Sequence, residues 1–424
     1  MMLLLFVALF GLLIMGVPVA LALAGASLIY IVVDGRLPDF VLIHRMVNGV
    51  DSFPLLAVPF FILAGNLMNT GGITNRIYDF AVAAVGWMRG GLGHVNVVGS
   101  VIFAGMSGTA VADAGGLGTV EIKAMRDHGY DAKFAVGITA ASATIGPIIP
   151  PSLPFVIYAV MANTSVGQLF AAGIIPGLMM AGALMIMVTY FAHVRGYDRD
   201  AVFRVAVLVH TFGRAFLALM TPVILIGGMM SGAFTPTEAA VAASVYALLL
   251  GLWYGTLNLR QIVRVSMETI ETTASVLLIV AASSIFAWIL TTNRITEHFA
   301  TLVLGFTNEP WMVLLLINLI LLVVGCFLET IAAITILVPV FLPIILKLEI
   351  DPVHFGLVMV LNLMIGLLTP PVGMVLYVLS RVAKLSFEDC AKAVAPFLVP
   401  LVAVLIVVTY VPGLYMWLPV MLYR

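Results

Sequence analysis

Long apolar stretches, separated by short polar segments, extend through the whole sequence. Five contain no charged residue and are each long enough for the ~20 apolar residues of a membrane-spanning helix: 1–33, 215–237, 239–259, 272–293 and 393–423. A further uncharged stretch, 134–194, has room for at least two crossings. The pattern predicts about eleven crossing helices, near 3–33, 52–70, 73–89, 132–163, 167–193, 212–232, 236–257, 273–291, 294–308, 352–381 and 393–421.

Two other stretches, 92–125 and 310–346, do not fit a single crossing. Each has two apolar legs around a polar midpoint, which is Ser107-Gly108 in the first and Glu329 in the second. At ~1.5 Å per residue, legs of about 16 to 19 residues reach the centre of a bilayer and return. We therefore predict two re-entrant hairpins, and two short crossings in each stretch remain the alternative.

The polar segments are of two kinds. Segments 34–51 and 258–271 mix charged with apolar residues, which predicts amphipathic arms at the membrane interface. Segments 195–214 and 381–392 are rich in arginine and lysine, and the positive-inside rule places both in the cytoplasm. The N-terminal apolar stretch has no basic region before it and no small-residue cleavage site, so we expect it to remain as a membrane segment.

Composition agrees with this pattern. Hydrophobic residues make up 63% of the 424 residues and charged residues only 9%, against about 25% in soluble domains. A net charge of −1 argues against nucleic acid as a partner, and two cysteines without CxxC spacing argue against redox chemistry. The predicted fold class is an all-α polytopic protein of the lipid bilayer.

One phrase occurs twice. Residues 131–151 (DAKFAVGITAASATIGPIIPP) and 351–371 (DPVHFGLVMVLNLMIGLLTPP) share their Asp, Ile-Gly and Pro-Pro at a constant offset of 220 residues. We predict two repeats, 1–210 and 211–424, each with an arm, a hairpin and a broken helix, the last at 132–163 and 352–381. Such pairs mark the binding sites of secondary transporters. An inverted repeat needs an odd number of crossings between equivalent elements, and six are predicted, so a parallel repeat stays open.

The predicted helix breaks suggest which ligands could bind there. A helix interrupted within the membrane leaves carbonyl oxygens that suit Na⁺ and amide groups that suit a carboxylate. Hydroxyl oxygens near the breaks and hairpin tips are further hard ligands. The predicted ion ligands are Gly105, Ser107, Gly146, Ile149, Gly325, Thr330, Gly366 and Thr369. The competing interpretation is that these glycines and prolines only kink packed helices.

Charged residues in apolar surroundings are functional candidates. Asp113 follows the first hairpin tip, Glu329 lies at the second, and Arg294 separates two apolar stretches. Structural pairing is the alternative for the two acids, and a snorkelling surface position is the alternative for Arg294. Glu238 belongs to Thr235-Pro236-Thr237-Glu238, a helix-capping sequence that needs no functional role. The predicted substrate-binding residues are Ser107, Thr109, Asp113, Ser152, Arg294 and Glu329.

Five segments resemble the large membrane subunit of the tripartite ATP-independent periplasmic (TRAP) transporters: MSGTAVADAGGLGTVEIKAM (106–125), ASATIGPIIPPSLPFVIYAV (141–160), GAFTPTEAA (232–240), GCFLETIAAITILVPVFLPI (325–344) and IGLLTPPVGMVLYV (365–378). The resemblance implies an elevator-type importer that couples two or more Na⁺ ions to an organic acid such as a C4-dicarboxylate or sialic acid. It also implies a small four-helix membrane subunit and a periplasmic substrate-binding protein as partners, the former on a separate chain.

Other functions fit the sequence less well. A stand-alone ion-coupled carboxylate transporter would share this architecture without needing a binding protein. An intramembrane enzyme is disfavoured because the seven histidines are scattered and neither HExxH nor GxSxG occurs. A channel is disfavoured because no charge ring or repeated carbonyl filter is present.

Overall fold

The computed structural model describes residues 1–424 except Met1, Arg36, Leu37, Asp39 and Arg424, and it leaves out the side chains of Met2, Ser107, Phe299, Leu302 and Phe306. The described chain is helical and contains no named strand. Two 3₁₀ turns, Phe53–Leu56 and Pro412–Leu414, accompany the α-helices. These are α1 Met2–Ile14, α2 Val19–Asp34, α3 Phe40–Val50, α4 Ala57–Thr70, α5 Ile73–Val85, α6 Gly91–Ser107, α7 Ala110–Gly115, α8 Leu117–Asp127, α9 Ala132–Ala143, α10 Leu153–Ala162, α11 Val166–Arg195, α12 Val205–Met230, α13 Pro236–Trp253, α14 Leu259–Thr292, α15 Ile295–Phe306, α16 Pro310–Gly325, α17 Thr330–Lys347, α18 Pro352–Gly366, α19 Met374–Ala383, α20 Phe387–Tyr410 and α21 Trp417–Leu422.

Seven helical segments of the described chain are long and apolar enough to cross a membrane alone: Phe53–Thr70, Val166–Arg195, Val205–Met230, Pro236–Trp253, Leu259–Thr292, Thr330–Lys347 and Phe387–Tyr410. Of the other predicted crossings, 3–33, 132–163 and 352–381 consist of shorter apolar helices, whereas 73–89 and 294–308 correspond to α5 and α15, which carry charged residues. The segment predicted as one crossing at 3–33 consists of α1 and α2, which are separated at Gly16 (φ +81°) and Pro18. Glycine in the left-handed region, followed by proline, ends the first helix there.

The two predicted arms differ. The first is the separate helix α3, which has no buried residue and is divided from α4 by Asp51–Pro54. The second is continuous with the next predicted crossing, since α14 runs unbroken over 34 residues. Residues 259–292 contain neither glycine nor proline, so nothing in that sequence interrupts the helix.

In both predicted hairpin stretches two helical legs are joined by a turn, and α17 of the second stretch is itself long and apolar enough to cross a membrane. In the first, α6 turns at Gly108 (φ +62°) into α7 and α8; in the second, α16 turns at 326–329 into α17. We call α6–α10 the first unit and α16–α19 the second unit, because each joins a hairpin to a broken helix. All residues 134–143 of α9 and 353–366 of α18 are buried, so the first halves of both broken helices form the centre of the core.

The two broken helices run in opposite directions. Within the described chain, α9 does not pack against α10, nor α18 against α19, so neither pair folds back on itself. The beginning of α18 lies beside the later part of α10, where the Tyr158 hydroxyl donates to the Pro352 carbonyl at 2.7 Å. The end of α19 lies beside the end of α8, a few residues before α9 begins, where Arg126 donates to the Ala383 carbonyl at 3.2 Å. These contacts support the inverted form of the repeat.

The predicted cytoplasmic segments meet at one end of the molecule. Arg195 pairs with Asp131 at 2.8 Å, and Lys133 pairs with Asp389 at 2.8 Å. Asp131 also caps α9 through the Lys133 amide, as Asp351 caps α18 through the Val353 amide. The Asp that opens each repeated phrase is therefore a helix cap.

Candidate functional site

In the second unit, the hairpin and the break touch through their backbones. A Cβ placed on Gly366 would lie 2.6 Å from both Cα and C of Gly325, so only glycine fits there. The Val372 amide donates to the Cys326 carbonyl at 3.1 Å, which links the hairpin tip to the far side of the break. We call this contact, residues 325–330 with 366–373, the second junction.

Polar side chains gather at the second junction. The Thr369 hydroxyl donates to the Gly366 carbonyl at 2.8 Å and lies 3.0 Å from Cys326 Sγ. Glu329 caps α17, since its Oε2 accepts from the amides of Ile331 at 2.9 Å and Ala332 at 3.2 Å. Thr330 is buried, and its hydroxyl has no partner in the described chain. A carboxyl group and a hydroxyl without a described partner therefore lie at one helix N-terminus.

The first unit makes the equivalent contact between residues 105–109 and 146–153, the first junction. The Leu153 amide donates to the Gly108 carbonyl at 3.4 Å, and a Cβ on Gly108 would lie 2.8 Å from the Pro151 carbonyl. The Thr109 hydroxyl caps α7 by accepting from the Ala112 amide at 3.3 Å. Gly146 faces this cap, because its Cβ position lies 3.7 Å from the Thr109 carbonyl and 3.8 Å from Asp113 Oδ2.

The two junctions differ in what they leave unsatisfied. Among the described hydrogen bonds, none ends on the carbonyls of Gly146 or Ile149, whereas the Gly366 carbonyl already accepts from the Thr369 amide and hydroxyl. Gly146 and Ile149 are buried, while Thr369 is half-buried and Pro370 is exposed. The first junction is thus closed within the protein, and the second reaches the surface.

Buried polar bonds brace each hairpin against its broken helix. In the first unit the Ser142 hydroxyl donates to Asn96 Oδ1 at 2.6 Å, joining α9 to α6. In the second unit Asn362 Nδ2 donates to Asn318 Oδ1 at 2.7 Å, joining α18 to α16. Ser142 and Asn362 hold the same position in the repeated phrase. Since an amide or hydroxyl is costly to bury unpaired, these bonds hold each hairpin against its broken helix.

Some predicted ligands lie apart from the junctions or point elsewhere. The Cβ position of Gly105 faces Pro222 of α12 at 2.5 Å, so this glycine lets the hairpin approach α12. Ser152 is fully buried, and its hydroxyl caps α10 through the Phe155 amide. Arg294 is exposed at the α14–α15 turn. The Ser107 side chain lies outside the described residues.

Glu238 is a helix cap, as the sequence predicts. Its Oε2 accepts from the Thr235 amide at 2.7 Å, and the Glu238 amide donates to the Thr235 hydroxyl at 3.3 Å. This is a complete capping box.

Glu121 is a buried acid that the sequence alone does not single out. It is 2% exposed on α8, and its Oε1 has no hydrogen-bond partner among the described residues. The buried positions of α8 are Leu117, Gly118, Glu121, Ile122 and Met125. Their helical spacing is the signal that places Glu121 on the core face.

A cavity of about 320 Å³ opens between the α10–α11 and α12–α13 loops. Phe53, Phe234, Met229 and Tyr423 line it together with Ser165 and Thr237. No charged residue lines it. It therefore lacks the groups that would hold a carboxylate against water.

Comparison with known proteins identifies the family. A model of the tripartite ATP-independent periplasmic transporter DctM component matches residues 6–414. The chain is 48% identical over 416 residues to the sialic acid TRAP transporter large permease protein SiaM of Vibrio cholerae, covering 96% of each chain. It is 40% identical over 385 residues to the C4-dicarboxylate large permease protein DctM of Pseudomonas aeruginosa, covering 90% of each.

A solved structure supports the fold. The YdaH transporter of Alcanivorax borkumensis superposes with a TM-score of 0.66 at 13% identity, over 89% of this chain and 88% of that one. At that identity only the fold is shared. The family model and the relatives cover nearly all of this chain, which belongs to the large-permease (DctM) component family of the TRAP transporters.

Proposed function

We propose that this chain couples the import of an organic acid to Na⁺ and receives its substrate from a periplasmic binding protein. As a member of its family it is a multi-pass protein of the bacterial inner membrane, and its relatives transport organic acids. The observation that carries the Na⁺ part of the proposal is the pair of junctions, each of which brings a hairpin tip against a broken helix.

In this proposal one Na⁺ binds at each junction. At the first, the carbonyls of the buried residues Gly146 and Ile149 accept none of the described hydrogen bonds, and a desolvated cation would supply a partner. At the second, Thr330 and Thr369 offer hydroxyl oxygens close to the charge of Glu329. Hard oxygen donors of this kind suit Na⁺. In other transporters the carbonyl oxygens of broken helices coordinate Na⁺.

The substrate carboxylate would lie between the junctions. Thr109 and Glu329 mark the two helix N-termini there, those of α7 and α17. Two relatives are named as transporters of sialic acid and of C4-dicarboxylates, and both substrates carry a carboxylate. We propose sialic acid as the first substrate to test and a C4-dicarboxylate as the second.

The transport step would move both units together. The second unit is hydrogen-bonded to α14, where the Ser283 hydroxyl donates to the Thr335 hydroxyl at 2.7 Å. The first unit contacts α12 at Gly105 and Pro222, where no hydrogen bond joins the two residues. Such a contact allows one body to slide against another. The helices around the units would form the scaffold of an elevator, together with a small membrane subunit.

Reconstitution tests the proposal. The chain and its small subunit are placed in liposomes, and labelled sialic acid or succinate is supplied outside, with and without a cognate binding protein. We expect uptake only when the binding protein is present. Equal uptake of free substrate would instead identify a stand-alone carboxylate transporter of the same fold.

Thr369→Val should weaken Na⁺ coupling and leave the protein folded. The change removes one hydroxyl oxygen at nearly constant volume, and a buried polar contact of this kind contributes about 1 to 3 kcal/mol. That corresponds to a rise of roughly fivefold to 150-fold in the Na⁺ concentration for half-maximal uptake. The measurement is uptake against Na⁺ concentration; an unchanged curve would place the second ion elsewhere.

A further inference from the structure

An exposed stripe of residues runs along α7 and α8, from the first junction to the end of the first hairpin. The members of this stripe are Val111, Ala112, Gly115, Thr119, Lys123 and Arg126. The acids of the two helices lie elsewhere, since Asp113 and Glu121 are buried and Asp127 is the last residue of α8. The stripe therefore begins with small side chains close to Thr109 and ends in two cations.

A second exposed stripe runs along α19 and starts at the second junction. Its members are Pro370, Pro371, Met374, Tyr377, Arg381 and Lys384, the last of which is the C-cap residue of the helix. α19 contains no acidic residue. Each junction is thus followed in the chain by helical structure whose exposed side ends in cations.

α8 and α19 lie side by side and run in the same direction. The Cβ position of Gly118 lies 3.8 Å from Leu379 Cδ2. Further along both helices, Arg126 donates to the Ala383 carbonyl at 3.2 Å. Both stripes therefore lead to the same end of the molecule, where the predicted cytoplasmic segments meet.

Lys123 and Arg381 lie between these two contacts, one on each helix. Both side chains are exposed, and neither takes part in an ion pair in the described part of the chain. Arg126 and Lys384 add two more exposed cations, and Asp127 is the single exposed acid of the two helices. Four cations and one acid leave an excess of three positive charges at this end of the stripes.

The exposed face of α7 and α8 lies between α19 and α4, a helix outside both units. Asn69 Nδ2 of α4 lies 3.1 Å from the Cβ position of Gly116, where α7 meets α8. The buried side of α8 packs on α6 and α9. Asn69 and Thr119 are both exposed and polar. Because polar side chains are costly against lipid, they indicate that this face meets water.

We propose that this face is the path by which an organic anion leaves the junctions for the cytoplasm, with Lys123 and Arg381 as the cations that draw it outward. A cleft with an excess of one sign of charge concentrates ions of the opposite sign and speeds their passage. That the anion is the transported substrate rests on the proposed function. The attraction of anions into the path does not.

Thr119→Cys places a reporter in the middle of the path at nearly constant volume. Inside-out membrane vesicles that hold the chain and its small subunit are treated with the anionic reagent sulfonatoethyl methanethiosulfonate or the cationic reagent trimethylammonioethyl methanethiosulfonate. Mass spectrometry of the peptide with residue 119 separates its labelling from that of Cys326 and Cys390. Each rate is divided by the rate for free cysteine. We expect the anionic reagent to react faster than the cationic one on this scale.

Lys123→Gln should lower this preference for the anion about tenfold. Positions 119 and 123 are one helical turn apart, and in water a unit charge about 6 Å away changes the rate about threefold for each reagent, in opposite directions. Arg381→Gln should lower the preference too, and about 1 M salt should reduce both effects. An unchanged preference in either variant would overturn the proposal, and so would a Thr119→Cys chain that stays unlabelled.

Arg199→Gln is the matched control. Arg199 is an exposed cation of the predicted cytoplasmic segment 195–214, and its backbone pairs with Arg89 close to the start of α6, a helix on the buried side of α8. The positive-inside rule predicts basic residues at the cytoplasmic ends of membrane helices in general. An equal loss of preference in Arg199→Gln would make Lys123 and Arg381 ordinary surface charges and would contradict the proposal.

Val111→Cys, nearer the first junction, replaces Thr119→Cys if that variant does not fold, and it should rank the three charge variants in the same order. Labelling needs neither Na⁺ nor the binding protein. Na⁺-driven uptake without a preference for the anionic reagent therefore refutes this inference alone. A preference for the anionic reagent without Na⁺-driven uptake refutes the proposed coupling alone.

Discussion

Gly366→Ala should abolish transport while the protein still reaches the membrane. The new Cβ would lie 2.6 Å from the Gly325 backbone, where no flexible side chain can move aside, so the second junction must open. Overpacking of this kind costs about 1 to 3 kcal/mol, which the fold can tolerate. An ion site built from the same backbone cannot tolerate this opening, because its ligand atoms must be held to within about 0.5 Å of their positions.

The control for this change is Gly182→Ala. Gly182 lies in the interior of α11, and a Cβ there would meet nothing within 4 Å. Alanine should leave uptake unchanged, because it favours a helix by about 1 kcal/mol over glycine. Expression-normalised uptake of both variants is the measurement. If Gly366→Ala transported as well as wild type, the second junction would have no role in transport.

Glu329→Gln should reduce transport strongly without loss of folded protein. Glutamine keeps a carbonyl oxygen that can accept from the Ile331 and Ala332 amides, so the cap on α17 survives. What disappears is the negative charge beside Thr330 and the second break. If that charge balances a bound Na⁺, we expect uptake to fall by about tenfold or more.

Glu238→Gln tests the same chemical change at a purely structural site. Its capping box with Thr235 is exposed, and glutamine still serves such a box. Uptake should therefore stay near the wild-type rate, with a small loss of thermal stability at most. Full activity of Glu329→Gln would show that its carboxylate only orders the hairpin tip.

The positions of hairpins and breaks follow from the sequence, because glycine and proline act locally. Gly108 and the Pro-Pro pairs end helices wherever they occur, independently of the rest of the fold. The presence or absence of proline also explains why the first arm is a separate helix and the second arm is continuous with the next helix. Pro54 helps to separate α3 from α4, whereas the equivalent stretch inside α14 has no such residue and stays helical.

The ligand geometry could not be predicted in this way. The Gly366 carbonyl is occupied by Thr369, and the Gly105 Cβ position faces Pro222 of another helix. Both facts depend on how distant segments pack. The burial of Glu121 could not be predicted for another reason. Its sequence neighbours Lys123, Arg126 and Asp127 suggest a solvated turn, and only the position of Glu121 on the same helix face as the buried residues of α8 shows that it is buried.

The central claim, Na⁺-coupled transport, is tested most directly by the cation that drives uptake. Proteoliposomes with the complete complex are given an inward gradient of Na⁺, Li⁺ or K⁺, with the binding protein and its ligand outside and no ATP. The account predicts accumulation of substrate with the Na⁺ gradient and its loss with K⁺. Undiminished accumulation in K⁺ would contradict it, because the two junctions would then bind no coupling ion.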